Sequence, residues 1–461
     1  MSTGTTHRPR VLMVGAYERD NFGDLLFLLV TEKYLPNAQI TAAAPFSADM
    51  TALLDRKVEA YGPLLQGEEF DAVWTVGGQV GGTDLRSAFR MSAPPELARE
   101  FQRSSPARRE EMLRRAVGDV HVASPYLPSL ATYPRNAGAI SVLNSVGVSG
   151  IRGAGRYRRE ELIALVRAGT LISVRDKESS NYLTELGIEH RLVPDAVHAI
   201  SVLRPAERNP ESDVAIFQAS RSILTNLGHA DVAAALVGSE HLRGLRIRLL
   251  MAGTAAGHDS VADFDQVIAH AKRIDPQVDI EILDERRPFD LCDRMREARV
   301  VIGTSLHVRI IACAYGIPRV TLSRTKPTRY ARVWDPEMPF DVSLAGLDAA
   351  VGAALEAAER PEVLARSREL SQLAHDNLTA FAEQVTTLAA TQTAEDKARR
   401  REARQRAEGA LLASRTEELK RARRELTAIR STRTYRLSQK AGRIARAIRR
   451  SLGAKATAGA A

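Results

Sequence analysis

Residues 300–322, VVIGTSLHVRIIACAYGIPRVTL, constrain the fold of this chain more than any other stretch. A short apolar run at 300–302 reads as a buried strand, and Gly303-Thr304-Ser305 as a tight turn. A helix then runs through Ile310, Ile311, Ala314 and Tyr315 until Gly316 and Pro318 stop it, and a second buried strand follows at 319–322. Strand, turn, apolar helix, strand is the repeating unit of a parallel sheet. The pattern puts His307 in the first turn of a helix. Unpaired backbone N–H groups and the positive end of the helix dipole attract phosphate or carboxylate there, and the same field keeps an imidazole neutral. A partly buried histidine beside a Thr304 or Ser305 cap is the competing reading.

The unit repeats along the chain. A buried strand at 11–15 leads through Asn21-Phe22-Gly23-Asp24 into an apolar helix over 22–35. Strands follow at 39–41, 72–76, 139–143, 171–174 and 191–193, and a second series at 214–217, 246–251, 278–283, 300–302 and 319–322. The expected fold is α/β, two Rossmann-like doubly wound domains with a helical basic tail. Residues 1–9 are expected to be disordered, 10–205 to form the first domain and 206–390 the second with its closing helices, and 391–461 the tail. Residues 82–135 form a charged insertion, either a lid or acceptor-binding element or a surface helical excursion. Neither GxGxxG nor GxxxxGK[ST] occurs in the required context, so no dinucleotide or phosphate-loop fingerprint is present.

Candidate site residues sit at strand ends, where open parallel sheets bind ligands. Asn21 and Asp24 either face a ligand or form a capping box. Gly23 implies a close approach to the backbone, since glycine costs about 1 kcal/mol in a helix. Gly77 and Gly78 end the 72–76 strand and admit a ligand or a neighbouring loop. Arg175 is a fixed cation at a strand's carboxyl end, suited to a carboxylate or phosphate. Its neighbour Asp176 is a candidate helix cap, and Asp195 after Pro194 faces the same cleft.

The chain has 461 residues and a formal charge of +9, but the charge is not evenly spread. Residues 397–455 hold 20 Lys+Arg against 5 Asp+Glu, leaving 45 basic and 51 acidic residues elsewhere. A basic nucleic-acid-binding body is therefore not indicated. Cys292 and Cys313 lack metal-ligand spacing and read as reduced core residues. The opening MSTGTTHRPR lacks a signal peptide's apolar core, and no run approaches the roughly 20 apolar residues of a membrane span, so a cytoplasmic protein is expected. Residues 390–429 read as a solvated helix or loose coiled coil without a sustained heptad seam. Beyond them Tyr435 and Leu437 stand among arginines, and Ile444, Ile448 and Leu452 repeat on one helical face. That face suits either an anionic membrane surface or a solvated basic end.

Three ordered segments, the strand with NFGD and its helix, LISVRDKES…LGI…VPD, and VVIGTSLHVRIIACAYGIP, resemble the polysaccharide pyruvyl transferase family over roughly residues 10–335. The resemblance implies a glycosyltransferase-B-like architecture and transfer of pyruvate from phosphoenolpyruvate to a sugar diol of a cell-surface or exopolysaccharide, with no cofactor. It implies His307 as general acid/base, Arg175 as a donor-anion ligand, and Asp24 with Asn21 as positioning groups. Thr304, Ser305, Arg309, Arg324, Lys326 and Arg329 are further candidates for the donor, Arg309 being equally readable as a solvated helix residue. Many members read RLH where this chain has Ser305-Leu306-His307. If that arginine binds the donor, its role passes to a cation such as Arg309, the donor differs, or activity is lost. The implied partners are phosphoenolpyruvate, a glycan or lipid-linked oligosaccharide, and an anionic membrane reached by the tail. A sugar-nucleotide glycosyltransferase and a non-catalytic scaffold of the same fold are the alternatives.

Overall fold

A computed structural model of the chain describes residues 8–255 and 257–431. Eight strands form the first sheet: β1 (Arg10–Val14), β2 (Gln39–Ala44), β3 (Ala48–Asp49), β4 (Lys57–Ala60), β5 (Ala72–Val76), β6 (Ile140–Val146), β7 (Leu171–Val174) and β8 (Arg191–Leu192). Their order is β3-β4-β2-β1-β5-β6-β7-β8, parallel throughout except at β3. Both faces are covered. On β1, Val11 and Met13 enter one apolar cluster while Leu12 and Val14 enter another, so a continuous apolar run rather than an alternating one is required.

The second sheet holds β9 (Val214–Gln218), β10 (Arg246–Leu249), β11 (Ile280–Ile282), β12 (Val300–Gly303) and β13 (Arg319–Thr321), in the order β11-β10-β9-β12-β13 and wholly parallel. Its strand order reverses between β9 and β12, as the first sheet's does between β1 and β5, and both switch points open a crevice at the strands' carboxyl ends. The α/β fold with two doubly wound parallel sheets expected from the sequence is present. One large core runs through both halves, joining Val11, Met13 and Trp74 to Ile216, Val301, Ile310 and Ile311.

Two edge strands were not expected. β4 shows only Val58 buried between the charged Lys57 and Glu59, and β3 is two residues long, so neither carries an apolar run. The predicted strands at 246–251 and 278–283 are shorter than expected, and the first helix stops at Glu32. The 82–135 insertion folds into helices Leu85–Ser92, Pro95–Arg103 and Pro106–Ala116 around its own core of Phe89, Phe101, Met112 and Leu113. It is not merely a surface excursion: Ser92 Oγ donates to Glu18 Oε1 at 2.7 Å, and Tyr126 OH donates to the same oxygen at 2.9 Å.

The long helix Pro361–Thr391, grouped by sequence with the second domain, packs on the first sheet. Phe381 meets Trp74 edge-on at 6.5 Å between centroids, and Asn377 Nδ2 donates to Asn144 Oδ1 at 2.8 Å. Residues up to Arg404 make one body, and a second unit begins at Gln405. The helix Ala394–Ser431 carries Leu412, Leu419 and Leu426 seven residues apart and exposed, a seam that its polar composition hides from a reading by composition. Residues 1–7, at the N-terminus expected to be disordered, and the apolar residues of the basic end, Tyr435, Leu437, Ile444, Ile448 and Leu452, lie outside the described residues. Among the described residues no helix is long and apolar enough to cross a membrane.

Candidate active site

Two turns from opposite halves meet at the cleft. The first sheet sends β1 into the helix Phe22–Glu32 through residues 15–21, and the second sends β12 into the helix Leu306–Ala314. They touch at Gly23, where a Cβ would lie 1.8 Å from Nδ1 of His307. The close approach expected at Gly23 is that of an imidazole. Asn21 takes the N-cap position, yet its side chain caps no amide; its Nδ2 donates to Asp24 Oδ2 at 2.8 Å, so the capping-box alternative fails. Asp24 also receives Arg19 Nη2 at 3.0 Å. Burial alone would raise the Asp24 carboxyl, but Arg19, with His307 and Lys326 behind it, outweighs that and holds it below the usual range.

His307 is buried, and Phe27 stands edge-on to its ring at 5.1 Å between centroids. Its Nε2 is buried without a hydrogen bond, 3.9 Å from Asp195 Oδ2. Burial, then Arg175, then Lys326 push the imidazole down to about 3 against the pull of Asp24, so the folded protein holds it neutral. The helix-mouth argument reaches the same protonation state, but burial is the larger cause.

Arg175 directly follows β7 and is 2% exposed. Its Nη1 pairs with Asp195, Trp334 Nε1 donates to its carbonyl at 2.8 Å, and Phe27 lies 5.6 Å from its guanidinium carbon. Nη2 is buried with no partner. Asp195 in turn accepts from the Val197 amide at 3.0 Å, and its own amide donates to Tyr330 OH at 2.9 Å, so it fixes the arginine rather than meeting a ligand alone. Asp176 caps the following helix by accepting from the Ser179 amide at 2.7 Å. Lys326 lies within the electrostatic reach of Arg175, Asp24 and Asp195 and is exposed as a residue. Desolvation, with Arg175, pushes its ammonium down to about 8.

The helix mouth itself is partly filled. Oε1 of Gln218, at the end of β9, accepts from the Thr304 amide at 3.2 Å and the Ser305 amide at 2.9 Å. Gln218 Nε2 donates to Asp259 at 3.0 and 3.1 Å, and burial raises that carboxyl to about 7. Neither the Thr304 nor the Ser305 hydroxyl caps the helix: Ser305, the N-cap residue, makes no side-chain cap, and Thr304 Oγ1 bonds to Gln218 and accepts from the Ser220 amide. Gln218 lies one residue past the strand expected at 214–217, and attention to the polar residue at that carboxyl end would have found it.

Several candidates fall elsewhere. Arg309 is neither a donor ligand nor solvated. All four of its Nη hydrogens are used, by Thr321 Oγ1, Pro339 O, Asp335 O and Met338 O at 2.8–2.9 Å, and Nε lies 2.9 Å from Asp335 Oδ2. It therefore cannot inherit the role of the missing arginine; Arg175 and Lys326 are the cations beside His307. Arg329 pairs with Glu178 at 3.1 Å, while Arg324 is exposed at the start of the helix Thr325–Trp334. Gly77 and Gly78 both adopt positive φ, +59° and +70°; a Cβ at Gly77 would strike the Phe27 ring at 2.2 Å, so it makes room for that ring. Sequence reasoning passed over Phe27, which touches Gly77, Arg175 and His307, because a phenylalanine in an apolar helix carries no distinguishing signal. Among the described residues no group of three or more His, Cys, Asp and Glu could hold a metal.

At the carboxyl ends of the two sheets a buried imidazole, a buried guanidinium with a spare donor and a lysine therefore come together. Residues 123–326 match the model of the polysaccharide pyruvyl transferase family, which points to a transferase acting on polysaccharide. The matched span is narrower than the resemblance expected; it holds Arg175, Asp195, His307 and Lys326 but not the Asn21–Asp24 loop. No curated protein matches the chain. Similar solved structures include Anabaena HepE in complex with UDP-glucose, 11% identical over 82% of this chain and 99% of that one, with a TM-score of 0.44. UDP-GlcNAc 2-epimerases from Methanocaldococcus jannaschii (10% identity, 75% and 92% covered, TM-score 0.44) and Neisseria meningitidis (10%, 83% and 99%, 0.42) are also similar. These scores lie below 0.5, and the fold assignment rests on the two sheets themselves.

Proposed function

We propose that the protein transfers a pyruvyl group from phosphoenolpyruvate to two hydroxyls of a sugar, forming a cyclic ketal and releasing phosphate. The observation that supports this most is the pair of buried, unpartnered donors and acceptors in one cleft, Arg175 Nη2 and His307 Nε2, with Lys326 alongside. Phosphoenolpyruvate brings a carboxylate and a phosphate, and Arg175 and Lys326 are the cations placed to receive them. Neutral His307 takes the proton of the first sugar hydroxyl as that oxygen bonds to C2 of the enol, and then delivers it to C3, which becomes a methyl group. The second hydroxyl displaces phosphate from C2, its proton leaving with the phosphate. An imidazole held near 3 is a weak base, so the donor's negative charge, added beside Asp24, is what raises it into a useful range. On this reading no cofactor takes part, the acceptor is a glycan or lipid-linked oligosaccharide, and the basic tail brings a cytoplasmic protein to the inner face of the membrane.

Incubation with phosphoenolpyruvate and candidate glycans should release phosphate, and His307→Ala should cut the rate by roughly 10²–10⁴-fold. Release at the parental rate in that variant would remove His307 from the chemistry. Binding of a sugar nucleotide with no phosphate release would favour the glycosyltransferase instead.

A further inference from the structure

From Gln405 the terminal helix has no fully buried residue among those described, yet it carries a narrow apolar row. Leu412, Leu419 and Leu426 are 56%, 54% and 47% exposed, and Ile429 is 54% exposed. Setting the leucines at heptad position a puts Ala422 and Ile429 at d, with Arg415 the one charged residue in that row from 412 to 429. A helix that packs on a globular body presents a broad apolar face, whereas a stripe two positions wide in each heptad is the seam of a coiled coil. The flanks select the partner. Glu418 and Glu425 occupy g, and Arg423 and Arg430 occupy e. In a parallel, in-register pair each g residue faces the e residue five positions on in the other helix, so Glu418 meets Arg423 and Glu425 meets Arg430, twice over by symmetry. An antiparallel pair would set glutamates against glutamates and arginines against arginines.

We infer that residues 412–429 form a parallel two-stranded coiled coil with a second copy of this chain. The charge pattern argues for a second copy because each helix carries both halves of the complement. Sedimentation equilibrium of the full chain at micromolar concentration should give twice 50.4 kDa. Leu419→Asp combined with Leu426→Asp should give 50.4 kDa and, if the proposed function holds, unchanged phosphate release, since neither is among the candidate site residues. Glu418→Arg with Glu425→Arg, and separately Arg423→Glu with Arg430→Glu, should each be monomeric alone and form a mixed dimer when combined. A monomeric parent, or a dimer that survives the leucine changes, would overturn the inference. So would a parent that dimerises only after truncation beyond Ser431, which would assign the seam to the chain's own last residues. Two charge variants that each dimerise alone would equally overturn the parallel register.

Discussion

The helix Leu306–Ala314 has a buried ionic cluster near each of two of its residues, and the two are built from the same materials to opposite ends. Around Arg309, two arginines share one carboxylate: Arg319 Nε donates to Asp335 Oδ2 at 2.7 Å, and Arg309 places its Nε 2.9 Å from the same oxygen. Every Nη hydrogen of Arg309 has an acceptor. Around His307, Arg175 and Asp195 pair, but Arg175 Nη2 and His307 Nε2 are left over. A buried polar atom without a partner costs about 1–3 kcal/mol; Arg309 leaves only Nε without a hydrogen bond, and that nitrogen still sits 2.9 Å from Asp335 Oδ2, whereas Arg175 Nη2 has no partner and His307 Nε2 lies 3.9 Å from Asp195 Oδ2. Two residues separate an arginine tethered at every Nη hydrogen from a histidine left with an open ring nitrogen.

The comparison breaks most readily at Asp335. Asp335→Ala leaves two arginines buried without their carboxylate and should cost about 3–5 kcal/mol in denaturant unfolding, with activity falling only as far as folding does. A loss under about 1 kcal/mol would show that the Arg309 cluster is not structural. Next in size is Arg175→Lys, which keeps a cation for Asp195 but removes the second guanidinium nitrogen. Its stability should stay close to the parent's while the KM for phosphoenolpyruvate rises roughly 10–100-fold, the worth of one charged hydrogen bond; an unchanged KM would leave the spare donor without a role.

The smallest effect is on pH dependence. His307 and His198 hold folded values of about 3 and about 4 against 6.5, so each favours the folded state fully above pH 6.5 and loses that contribution as pH falls toward its folded value. Asp259, raised from 3.8 to about 7, acts in the opposite sense, with its contribution present at low pH and lost as pH rises toward 7. Between about pH 4.5 and 6 these two histidines, joined by the lowered His258, outweigh the raised Asp259 and Glu18, so stability should climb with pH. His198→Gln keeps a partner for Tyr330 OH and should flatten that climb by about 1.4 kcal/mol per pH unit, measured by urea unfolding at stepped pH. An unaltered slope would mean that His198 is protonated in the fold.

Much of this was legible in the chain because buried parallel strands are written as apolar runs. β5 and β7 fall on their expected residues, and Gly23 announced its contact by being a poor helix residue. What escaped depended on distance in sequence. Arg309 reads as a surface or ligand residue until Asp335, 26 positions on, folds beneath it. Asn21 and Asp24 have the spacing of a capping box, but Arg19 competes for the carboxylate and the local rule loses. Gln218 and Phe27 carry no mark of function in themselves; their meaning comes from what the other half brings to them.

The loop before Asn21 is bonded across the halves. Asp20 Oδ2 accepts from the Thr254 amide at 3.1 Å and Oγ1 at 2.6 Å and pairs with Arg286, while the Phe22 amide donates to Ala252 O at 2.9 Å. A Cβ on Gly253 would lie 2.4 Å from the Asp20 carbonyl oxygen. The covalent border between the sheets, near residues 204–213, is therefore not the functional border. A chimera joined there with a second half that lacks counterparts of Thr254 and Arg286 would leave Asp20 without its partners, so an exchange of the second half should carry residues 15–24 with it.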